Sequence, residues 1–478
     1  MALRSGAEYR ERLRTYSTNV YLLGERIHNV LEHPCLAPVV NSVATTFDPD
    51  AVGVSPELAF RVTDAGETIN RHNHVFRSAD DAVARVHLVR ELTRGTGACT
   101  HRCVGIDAIN ALDIVTREVD EARGTEYHER FRAFLRKAAA EDLALTASVT
   151  DPKGDRGLRP GQQPDPDLYL HIIDRNERGI VVRGAKAHQG RPMAVDYTLV
   201  LPTMGMQAGE EEYAVAFAVA NGSPGVTQIV GTGPAEAWRL VGQEEDFGNA
   251  AYGTHPGTLV VFEDVLIPWE NVFLAGEVEH TARLVELFAS YHRMATGGCK
   301  AGLCDVIVGA AAQIAEYNGV AKASHIRDKI VEMIRLSETA FSGSIASAVL
   351  GRTTPSGNYL PDTLLANVAK LNAAQAVTQS MTLLAEVAGA LAATAPAWRD
   401  LEAAPQGELL RKYLVGSAQV PCEARLKMFR LVQNLLFGVQ GLVALNGGGP
   451  PQTQRMAVYA QARLEEKKAL ARRISGQE

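Results

Sequence analysis

The spacing of apolar residues changes twice along the chain, and this constrains the fold more than any other feature of the sequence. Up to about residue 145, apolar residues recur every three or four positions, as in 80–92 and 126–141, which predicts helices with one buried face. Between about 146 and 277, short runs of β-branched residues alternate with glycine and proline, which is typical of strands. From 278 to 478, long stretches rich in Ala, Leu and Glu predict helices again.

The three zones predict three domains of an α+β protein. We expect an N-terminal helical domain over 1–145, a β-barrel or sandwich over 146–277 and a C-terminal antiparallel helix bundle over 278–478. Within the β-domain, 168–173 and 180–183 flank a polar turn and predict a hairpin. Helices, then a β-domain, then a bundle is the layout of the acyl-CoA dehydrogenase fold, in which a flavin lies between the β-domain and the bundle.

Charge and hydropathy limit the kinds of partner that the protein is expected to bind. The 478 residues carry a formal net charge of −7, which disfavours binding to a nucleic-acid backbone. The most apolar stretches, such as 306–315, have about half the ~20 residues that a bilayer span needs. The N-terminus becomes charged at once and lacks the apolar core of a secretion signal. We therefore expect a cytoplasmic protein that binds neither nucleic acid nor a membrane.

Six cysteines are too few for a disulfide scaffold in a chain of this length, so clustered cysteines indicate metal binding or catalysis. Cys99 and Cys103 are four residues apart; on a helix their thiols would project from one face and could ligate neighbouring irons. An isolated pair with this spacing fits equally well two small side chains buried in a core. The spacing leaves both interpretations open.

A second polar group follows in the last helical zone. His292 and Cys299 are two helical turns apart and therefore face one side of a helix. Gly297 and Gly298 lie between them and cost about 1 kcal/mol each relative to alanine. Two explanations are open: the missing Cβ atoms make room for a cluster, ring or substrate, or they let two helices pack closely.

Two polar segments of the β-domain are candidates for binding a cofactor. The turn 150–156 can present backbone N–H groups, Lys153 and Arg156 to phosphate or to a flavin edge. The segment 182–189 ends a strand with Arg, Lys, His and Gln, which suit the wall of a pocket. The alternatives are a solvated turn and a charged strand edge. The late glycine run 447–451 fits either a loop at the flavin or a plain connector.

Taken together, these features resemble a known family, the 4-hydroxybutyryl-CoA dehydratases, within the wider 4-hydroxyphenylacetate 3-hydroxylase flavoproteins. The opening 20–26, with His33 and Pro34, is similar to that of the wider family. The resemblance covers about 9–468, and plain hydroxylases lack its set of three cysteines and one histidine. It is carried by Cys99, Cys103, His292, Cys299 and the segments 150–156, 183–189 and 317–326.

The resemblance implies an acyl-CoA dehydrogenase-like fold, a homotetramer, FAD and a [4Fe-4S] cluster. It also implies that Lys300 belongs to the active site. The implied cluster ligands are Cys99, Cys103, His292 and Cys299, and the cysteines expected elsewhere are Cys35, Cys304 and Cys422. The residues that the resemblance places against FAD are Thr150, Asp151, Lys153, Asp155, Arg156, His188, Gln189, Asn318, Lys322, Glu386 and Gly389.

The reaction of this family explains why both FAD and a [4Fe-4S] cluster are needed. The thioester of a 4-hydroxyacyl substrate acidifies only the α-proton, whereas loss of water also requires breaking an unactivated β-C–H bond. One-electron chemistry at a flavin makes that bond acidic, and a cluster iron with a replaceable imidazole can act as a Lewis acid toward the leaving hydroxyl. On this scheme His292, once released from iron, is a base for the α-proton.

Several positions depart from the dehydratase pattern, and the resemblance would place all of them in the active site. Lost acid–base groups each typically contribute about 10²–10⁴-fold in rate, so we expect a different hydroxyacyl or unsaturated substrate. His101 is the candidate replacement if it titrates near neutral pH; the alternative is that it points away and merely packs. The departures are His101 for a glutamine, Gly190 for a threonine, Gly257 for a glutamate, Thr296 for a tyrosine, and a missing glutamate near Asn446.

We therefore expect an FAD- and [4Fe-4S]-dependent radical dehydratase or isomerase, a carbon–oxygen lyase acting on a small-molecule hydroxyacyl thioester like 4-hydroxybutyryl-CoA. Its catalytic candidates are His292, Lys300, His101 and Thr296. One alternative is a cluster-bearing homologue that acts on another substrate in secondary metabolism. Another is a flavin-dependent monooxygenase of the 4-hydroxyphenylacetate 3-hydroxylase type, and the last is a non-catalytic homologue.

Overall fold

The computed structural model describes residues 3–63, 65–417 and 420–477. The chain is mainly helical, then mainly β, then helical, in the predicted order. The first part contains α1 (Gly6–Arg14), β1 (Val20–Leu22), β2 (Glu25–Ile27), α2 (Ala37–Ala44), α3 (Pro56–Ala59), β3 (Phe60–Val62), β4 (Thr68–Asn70), α4 (Ala79–Thr96), α5 (Cys103–Arg123) and α6 (Tyr127–Ala140).

The middle part contains most of the strands and one short helix. Its elements are β5 (Leu145–Ser148), β6 (His171–Asn176), β7 (Gly179–Gln189), β8 (Tyr197–Val200), β9 (Val215–Ala220), β10 (Val226–Val230), α7 (Pro234–Trp238), β11 (Thr258–Pro268) and β12 (Val272–Ala275). The last part begins with long helices and ends with shorter ones. Its elements are α8 (Val278–Tyr317), α9 (Ser324–Val349), β13 (Arg352–Thr353), β14 (Tyr359–Leu360), α10 (Thr363–Ala388), α11 (Leu391–Thr394), α12 (Trp398–Glu402), α13 (Gln406–Tyr413), α14 (Cys422–Phe437), α15 (Gln440–Asn446), α16 (Pro451–Gln461) and α17 (Leu464–Ile474).

Two sheets pack against each other in the middle part. The larger has the strand order β2-β1-β10-β11-β7-β6 and the smaller β12-β9-β8-β5. In these sheets β1 runs parallel to β10 and β5 parallel to β8, and the other neighbours are antiparallel. Phe217 of β9 and Phe262 of β11 meet edge to face with ring centroids 6.0 Å apart. The apolar faces of both sheets therefore share one core, as in a sandwich.

The predicted hairpin is confirmed, since β6 and β7 pair in antiparallel register around a turn at Glu177 and Arg178. The N-terminal part differs from the prediction of a purely helical domain, because β1 and β2 join the larger sheet. The three-residue strand β1 is too short to show an apolar period, so its pairing with β10 and β2 defines it. The boundaries at 145 and 277 stay a prediction.

The 40-residue helix α8 is the centre of the bundle and packs against α4, α5, α9 and α10. It runs without a break through Gly297 and Gly298. A Cβ atom on Gly297 would lie 2.1 Å from the Ser344 hydroxyl oxygen of α9, and one on Gly298 would lie 2.3 Å from the Val86 carbonyl oxygen of α4. Close helix packing therefore explains these glycines, and room for a ligand does not.

Two stretches, Val278–Tyr317 and Cys422–Gln461, are long and apolar enough to cross a membrane by length and composition. The most apolar window of the first, which is α8, is 61% buried inside the fold, as a core helix would be. The second is 28% buried and is divided into α14, α15 and α16 at Gly438 and Gly447. Neither stretch by itself indicates a membrane protein.

Candidate functional site

Cys99 and Cys103 meet at the junction between α4 and α5, but they do not share a helix. The helix α4 ends at Gly97 in a left-handed conformation (φ +62°), and α5 begins only at Cys103. The expectation of one helix face is therefore wrong for Cys99. The loop turns back at His101, which has a positive φ of +59°, and this turn brings the two thiols together. A hydrogen bond with Cys103 is the main cause that holds the pKa of Cys99 well below its usual range.

The third cysteine comes from α8. Cys299 donates through its thiol to the carbonyl of Thr296 at 3.4 Å, and burial raises its pKa. The charge on Cys99 raises it further, while the neighbouring Lys300 opposes the shift. Cys99 therefore interacts with both Cys103 and Cys299, although 200 residues separate Cys99 from Cys299 in the sequence.

His292 lies two turns before Cys299 on α8 and has a fixed orientation. Its Nδ1 lies 2.8 Å from Oδ2 of Asp107 on α5, whose side chain is 1% exposed. A carboxylate at Nδ1 fixes the tautomer and leaves Nε2 free to bind a metal or a proton. Gly448 of the late glycine run packs on the same ring, since a Cβ there would lie 2.8 Å from Cδ2. The sequence predicted neither Asp107 nor this contact.

The loop around Cys99 brings in a second imidazole that the sequence did not predict. The rings of His101 and His255 are 4.2 Å apart, and one ligand atom of each lies within 4.8 Å of the Cys99 sulfur. Nε2 of each histidine is buried without a hydrogen-bond partner among the described residues. His255 is separated from His101 by 154 residues, and no local pattern marks it.

His101 is buried and does not titrate near neutral pH, contrary to expectation. Burial, followed by the charge of Arg191, lowers its pKa to about 3. The ring points into the site, so the alternative that it points away is also wrong. A Cβ atom on Gly190 would lie 3.0 Å from Nδ1 of His101. The glycine at 190 therefore makes room for the histidine at 101, which links two of the departures physically.

The other departures leave space or satisfy the backbone. Gly257 has nothing within 4 Å of a built Cβ, so a larger side chain would fit there. Thr296 donates its hydroxyl to the His292 carbonyl at 2.8 Å and so caps its own helix turn. Lys300 is 6% exposed and lies near Lys370 of α10. Burial, followed by the charge of Lys300, lowers the pKa of Lys370 to about 8. The site therefore has a cationic wall on the bundle side.

The turn 150–156 is connected to the cysteine region through the end of β7. Gln189 accepts from Val149 N–H at 3.3 Å and donates to the Thr150 carbonyl at 2.9 Å. Asp151 forms a buried ion pair with Lys186 at 2.9 Å and therefore has a structural partner. Lys153 is half-buried with φ +75°. The side chains of Asp155, Arg156 and His188 are exposed on this chain.

The remaining flavin candidates lie at the far end of α8. Asn318 caps that helix and accepts from Arg425 at 2.8 Å. At ~1.5 Å rise per residue, it is roughly 28 Å from Cys299 along the axis. Lys322 is exposed, Glu386 pairs with Lys329, and Gly389 ends α10 with φ +74°. The structure does not bring these four residues to the cysteine region of the same chain.

The other three cysteines lie in separate hydrophobic clusters. Cys35 donates to the Glu236 carbonyl at 3.3 Å, and Cys422 donates to the Leu410 carbonyl at 3.6 Å. Cys304 is completely buried in the core of the bundle. Burial raises the pKa of each of these thiols, as expected for inert packing residues.

Comparisons with known proteins agree with this geometry. The model of the 4-hydroxyphenylacetate 3-hydroxylase N-terminal domain matches residues 5–274, and that of the C-terminal domain matches 281–476. The chain is 38% identical to the 4-hydroxybutyryl-CoA dehydratase/vinylacetyl-CoA-Δ-isomerase of Clostridium aminobutyricum over 99% of both chains.

Solved structures give the same assignment. An oxygen-tolerant archaeal 4-hydroxybutyryl-CoA dehydratase from N. maritimus is 39% identical, with a TM-score of 0.97 over 99% of this chain and 95% of that one. The oxygenase component of 4-hydroxyphenylacetate 3-monooxygenase, complexed with FAD, is 25% identical, with a TM-score of 0.86 over 98% of both chains.

A more distant likeness concerns the fold alone. A glutaryl-coenzyme A dehydrogenase is 15% identical and matches with a TM-score of 0.52 over 88% of this chain and 92% of that one, which confirms the acyl-CoA dehydrogenase-like fold. Two observations decide the family. The two domain models together match most of the chain, and the chain is 38% identical to a dehydratase. The chain belongs to the 4-hydroxyphenylacetate 3-hydroxylase family and groups there with the 4-hydroxybutyryl-CoA dehydratases.

Proposed function

We propose that this chain is an FAD- and [4Fe-4S]-dependent dehydratase or isomerase of a hydroxyacyl thioester, with the cluster held by Cys99, Cys103, His292 and Cys299. The observation that carries the proposal is that Cys99 interacts with both Cys103 and Cys299, and that the carboxylate which holds His292, Asp107, also acts on Cys103. Thiolates and imidazole are ligands of iron–sulfur clusters. A monooxygenase of the hydroxylase type has no need of this set, so the sequence alternative of a plain hydroxylase is not favoured.

The chain's own residues support the cluster in two ways. Asp107 orients His292 through Nδ1, as carboxylates commonly do for metal-binding histidines. The Cys99 thiol is already prepared for deprotonation, since its pKa is held low by the hydrogen bond with Cys103 and then by His101 and His255. When bound, the cluster supplies a Lewis acid for a hydroxyl group. His292, with Asp107 behind it, can take up a proton at Nε2.

The flavin site is assigned to the turn 150–156 and to His188 and Gln189. Gln189 fixes this turn against β7 and so connects it to the loop that carries Cys99. When bound, FAD supplies one-electron chemistry to the substrate. Asn318, Lys322, Glu386 and Gly389 lie too far along α8 to reach the same flavin. Their assignment to FAD therefore requires a neighbouring subunit, which is consistent with the proposed homotetramer in the cytoplasm.

The substrate we propose is an acyl-CoA or related thioester other than 4-hydroxybutyryl-CoA. Gly257 leaves space for a larger side chain, Thr296 uses its hydroxyl within its own helix, and His101 is neutral at physiological pH. At these positions, the acid–base side chains of the dehydratase pattern are replaced by smaller residues and by a neutral imidazole. Lys300 and Lys370 remain as the cations of the pocket, and they can bind an enolate or a carboxylate oxygen.

The experiment that tests the proposal is anaerobic purification, followed by a visible spectrum and quantitation of flavin, iron and acid-labile sulfide. We expect about four irons and four sulfides per chain, as a [4Fe-4S] cluster requires. Flavin without iron and sulfide would instead indicate a hydroxylase-type enzyme. Product analysis with a panel of hydroxyacyl and unsaturated thioesters then identifies the substrate class. His101→Gln should lower turnover more than cofactor content, whereas efficient dehydration of 4-hydroxybutyryl-CoA by wild type and variant alike would refute the altered specificity.

A further inference from the structure

Arg85 is a buried charge without a sufficient partner. It lies within α4 and is 0% exposed. All three guanidinium nitrogens lack a hydrogen-bond partner among the described residues. Within 4.0 Å the only carboxylate oxygen that the described residues offer is Oδ1 of Asp107, and the other oxygen of that carboxylate contacts His292. A buried charge with so little compensation is strongly destabilising, so the polypeptide alone does not account for this residue.

The position of Arg85 follows from the close packing of α4 on α8. The Val86 carbonyl, one residue further on, touches the helix at Gly298, where a Cβ would lie 2.3 Å away. Cys299 is the next residue of α8. The positive charge of Arg85 therefore acts on two thiols. It acts to lower the pKa of Cys103, which the hydrogen bond with Cys99 raises. It acts in the same direction on the pKa of Cys299, which burial raises.

Two other buried arginines of the molecule have hydrogen-bond partners for both terminal nitrogens, and only their Nε atoms lack one among the described residues. Arg191 donates to the carbonyls of Cys99 and Thr254 at 3.0 and 2.6 Å. Arg430 of α14 donates to Gln433 and lies 3.0 Å from Asp246. Arg85 differs from these arginines because none of its three guanidinium nitrogens has a hydrogen-bond partner among the described residues, while its charge acts on the thiols of Cys103 and Cys299.

We propose that Arg85 is the counter-charge of the cluster, with its N–H groups donating to the thiolate and sulfide sulfur atoms that surround it. The inference rests on the proposed function, because three thiolates make a [4Fe-4S] centre anionic. Arg85 is a positioning residue in this role: it touches neither substrate nor flavin. Positive charge and hydrogen bonds at the sulfur atoms favour the more reduced centre, so Arg85 should raise the reduction potential of the cluster.

The proposal predicts opposite effects of one substitution in two states of the protein. Arg85→Met keeps the length of the side chain and removes its charge. In the cluster-free flavoprotein, the thermal midpoint should rise, because an uncompensated buried charge is lost. In the cluster-loaded protein, it should fall, and iron should pass to a chelator about 10- to 100-fold faster, the usual cost of losing an outer partner of a metal site. The midpoint potential should shift to lower values, and Arg85→Lys should fall between the two.

Arg430→Met is the matched control, since Arg430 is buried and pairs with Asp246, and the charges that act on it come from Asp246 and Asp400 and not from Cys99, Cys103 or Cys299. It should lower the thermal midpoint of both states and leave the potential unchanged. A cluster-free Arg85→Met protein that is less stable than cluster-free wild type, or fails to fold, overturns the proposal, because the polypeptide would then satisfy the guanidinium. An unchanged potential and rate of iron loss also overturns it. Failure of wild type to hold iron and sulfide instead refutes the proposed function itself.

Discussion

The two halves of the candidate site differ in how their side chains are held. The helix side, which we define as Asp107, His292 and Cys299, lies on α5 and α8, and each of its side chains has a hydrogen-bond partner. The loop side, defined as Cys99, His101, Gly190 and His255, lies between regular elements. It contains the positive φ of His101 and two imidazole nitrogens that have no hydrogen-bond partner in the described part of the chain.

The difference shows where such a site can change. A helix fixes its side chains through the whole bundle, so a substitution there disturbs packing. A loop adjusts locally, and paired changes such as His101 with Gly190 can compensate each other. The proposed cluster ligands lie on both sides, whereas two of the predicted departures, at 101 and 190, meet on the loop side. The altered specificity that we propose therefore lies in the part of the site that can adjust most easily.

The largest expected effect is on the cluster, which joins the two sides. Cys103→Ala removes a thiolate that no neighbouring residue replaces, so cluster absorption and activity should be lost while much of the flavin stays bound. Iron quantitation and the visible spectrum measure this. Cys304→Ala is the control, because Cys304 is buried in the bundle core and should leave iron content unchanged. Full iron content in Cys103→Ala would remove Cys103 from the ligand set.

The helix side can be tested through Asp107. Asp107→Asn keeps the shape of the side chain but weakens its hold on the His292 tautomer, so we expect a 10- to 100-fold loss of iron affinity or activity. Asp113→Asn on the same helix is the control: Asp113 is equally buried but binds Arg77, Arg132 and Asn358. That variant should lose stability and keep its iron. Equal iron loss in both variants would show that α5 acts only through folding.

The loop side can be tested by a double-mutant cycle. Gly190→Thr alone should destabilise the protein by about 1–3 kcal/mol, since the new side chain meets the His101 ring. His101→Gln should relieve this, with a coupling free energy of roughly 0.5–3 kcal/mol between the two positions. Denaturant unfolding of the four cluster-free proteins gives the value. Additive effects would mean that the two departures arose independently of each other.

The smallest effect concerns pH. His101 is kept neutral in the fold, because burial lowers its pKa from the ordinary value of 6.5 to about 3. Below pH ~6.5 the unfolded chain therefore binds more protons at this residue than the folded chain does, and stability falls as the pH falls toward 3. In the cluster-free protein, His101→Gln should lose less stability between pH 7 and pH 5 than wild type, by thermal unfolding. Parallel losses would show that His101 is protonated in the folded state.

The sequence predicted the order of the domains and most elements because their apolar periods are local. The helices at 80–92 and 126–141 and the hairpin before and after Glu177 were confirmed within a few residues. The glycines at 297 and 298 show the limit of that method. Their cost within a helix was visible, but the reason for it lies on α4 and α9, which the sequence does not place.

The candidate site shows the same division. The four ligand positions were recognisable by residue type and by resemblance, whereas Asp107, His255 and Arg85 have no local signal. In the sequence, Asp107 resembles any acidic residue on a helix and Arg85 resembles any surface charge. Only the fold shows that both are buried. Spacing also misplaced Cys99, because four residues can span a helix turn or a loop that turns back. Tertiary contacts decided each of these cases.

The helix α8 has a consequence for how this protein can vary in length. His292 and Cys299 occupy its middle and Asn318 its end, without an interruption between them. A single inserted residue would rotate one end against the other by about 100° and lengthen the helix by ~1.5 Å. The gain or loss of one residue between 299 and 318 would therefore turn the proposed metal ligands away from the groups that Asn318 contacts. The number of residues in this segment fixes both the distance and the angle between the candidate site and the end of the helix.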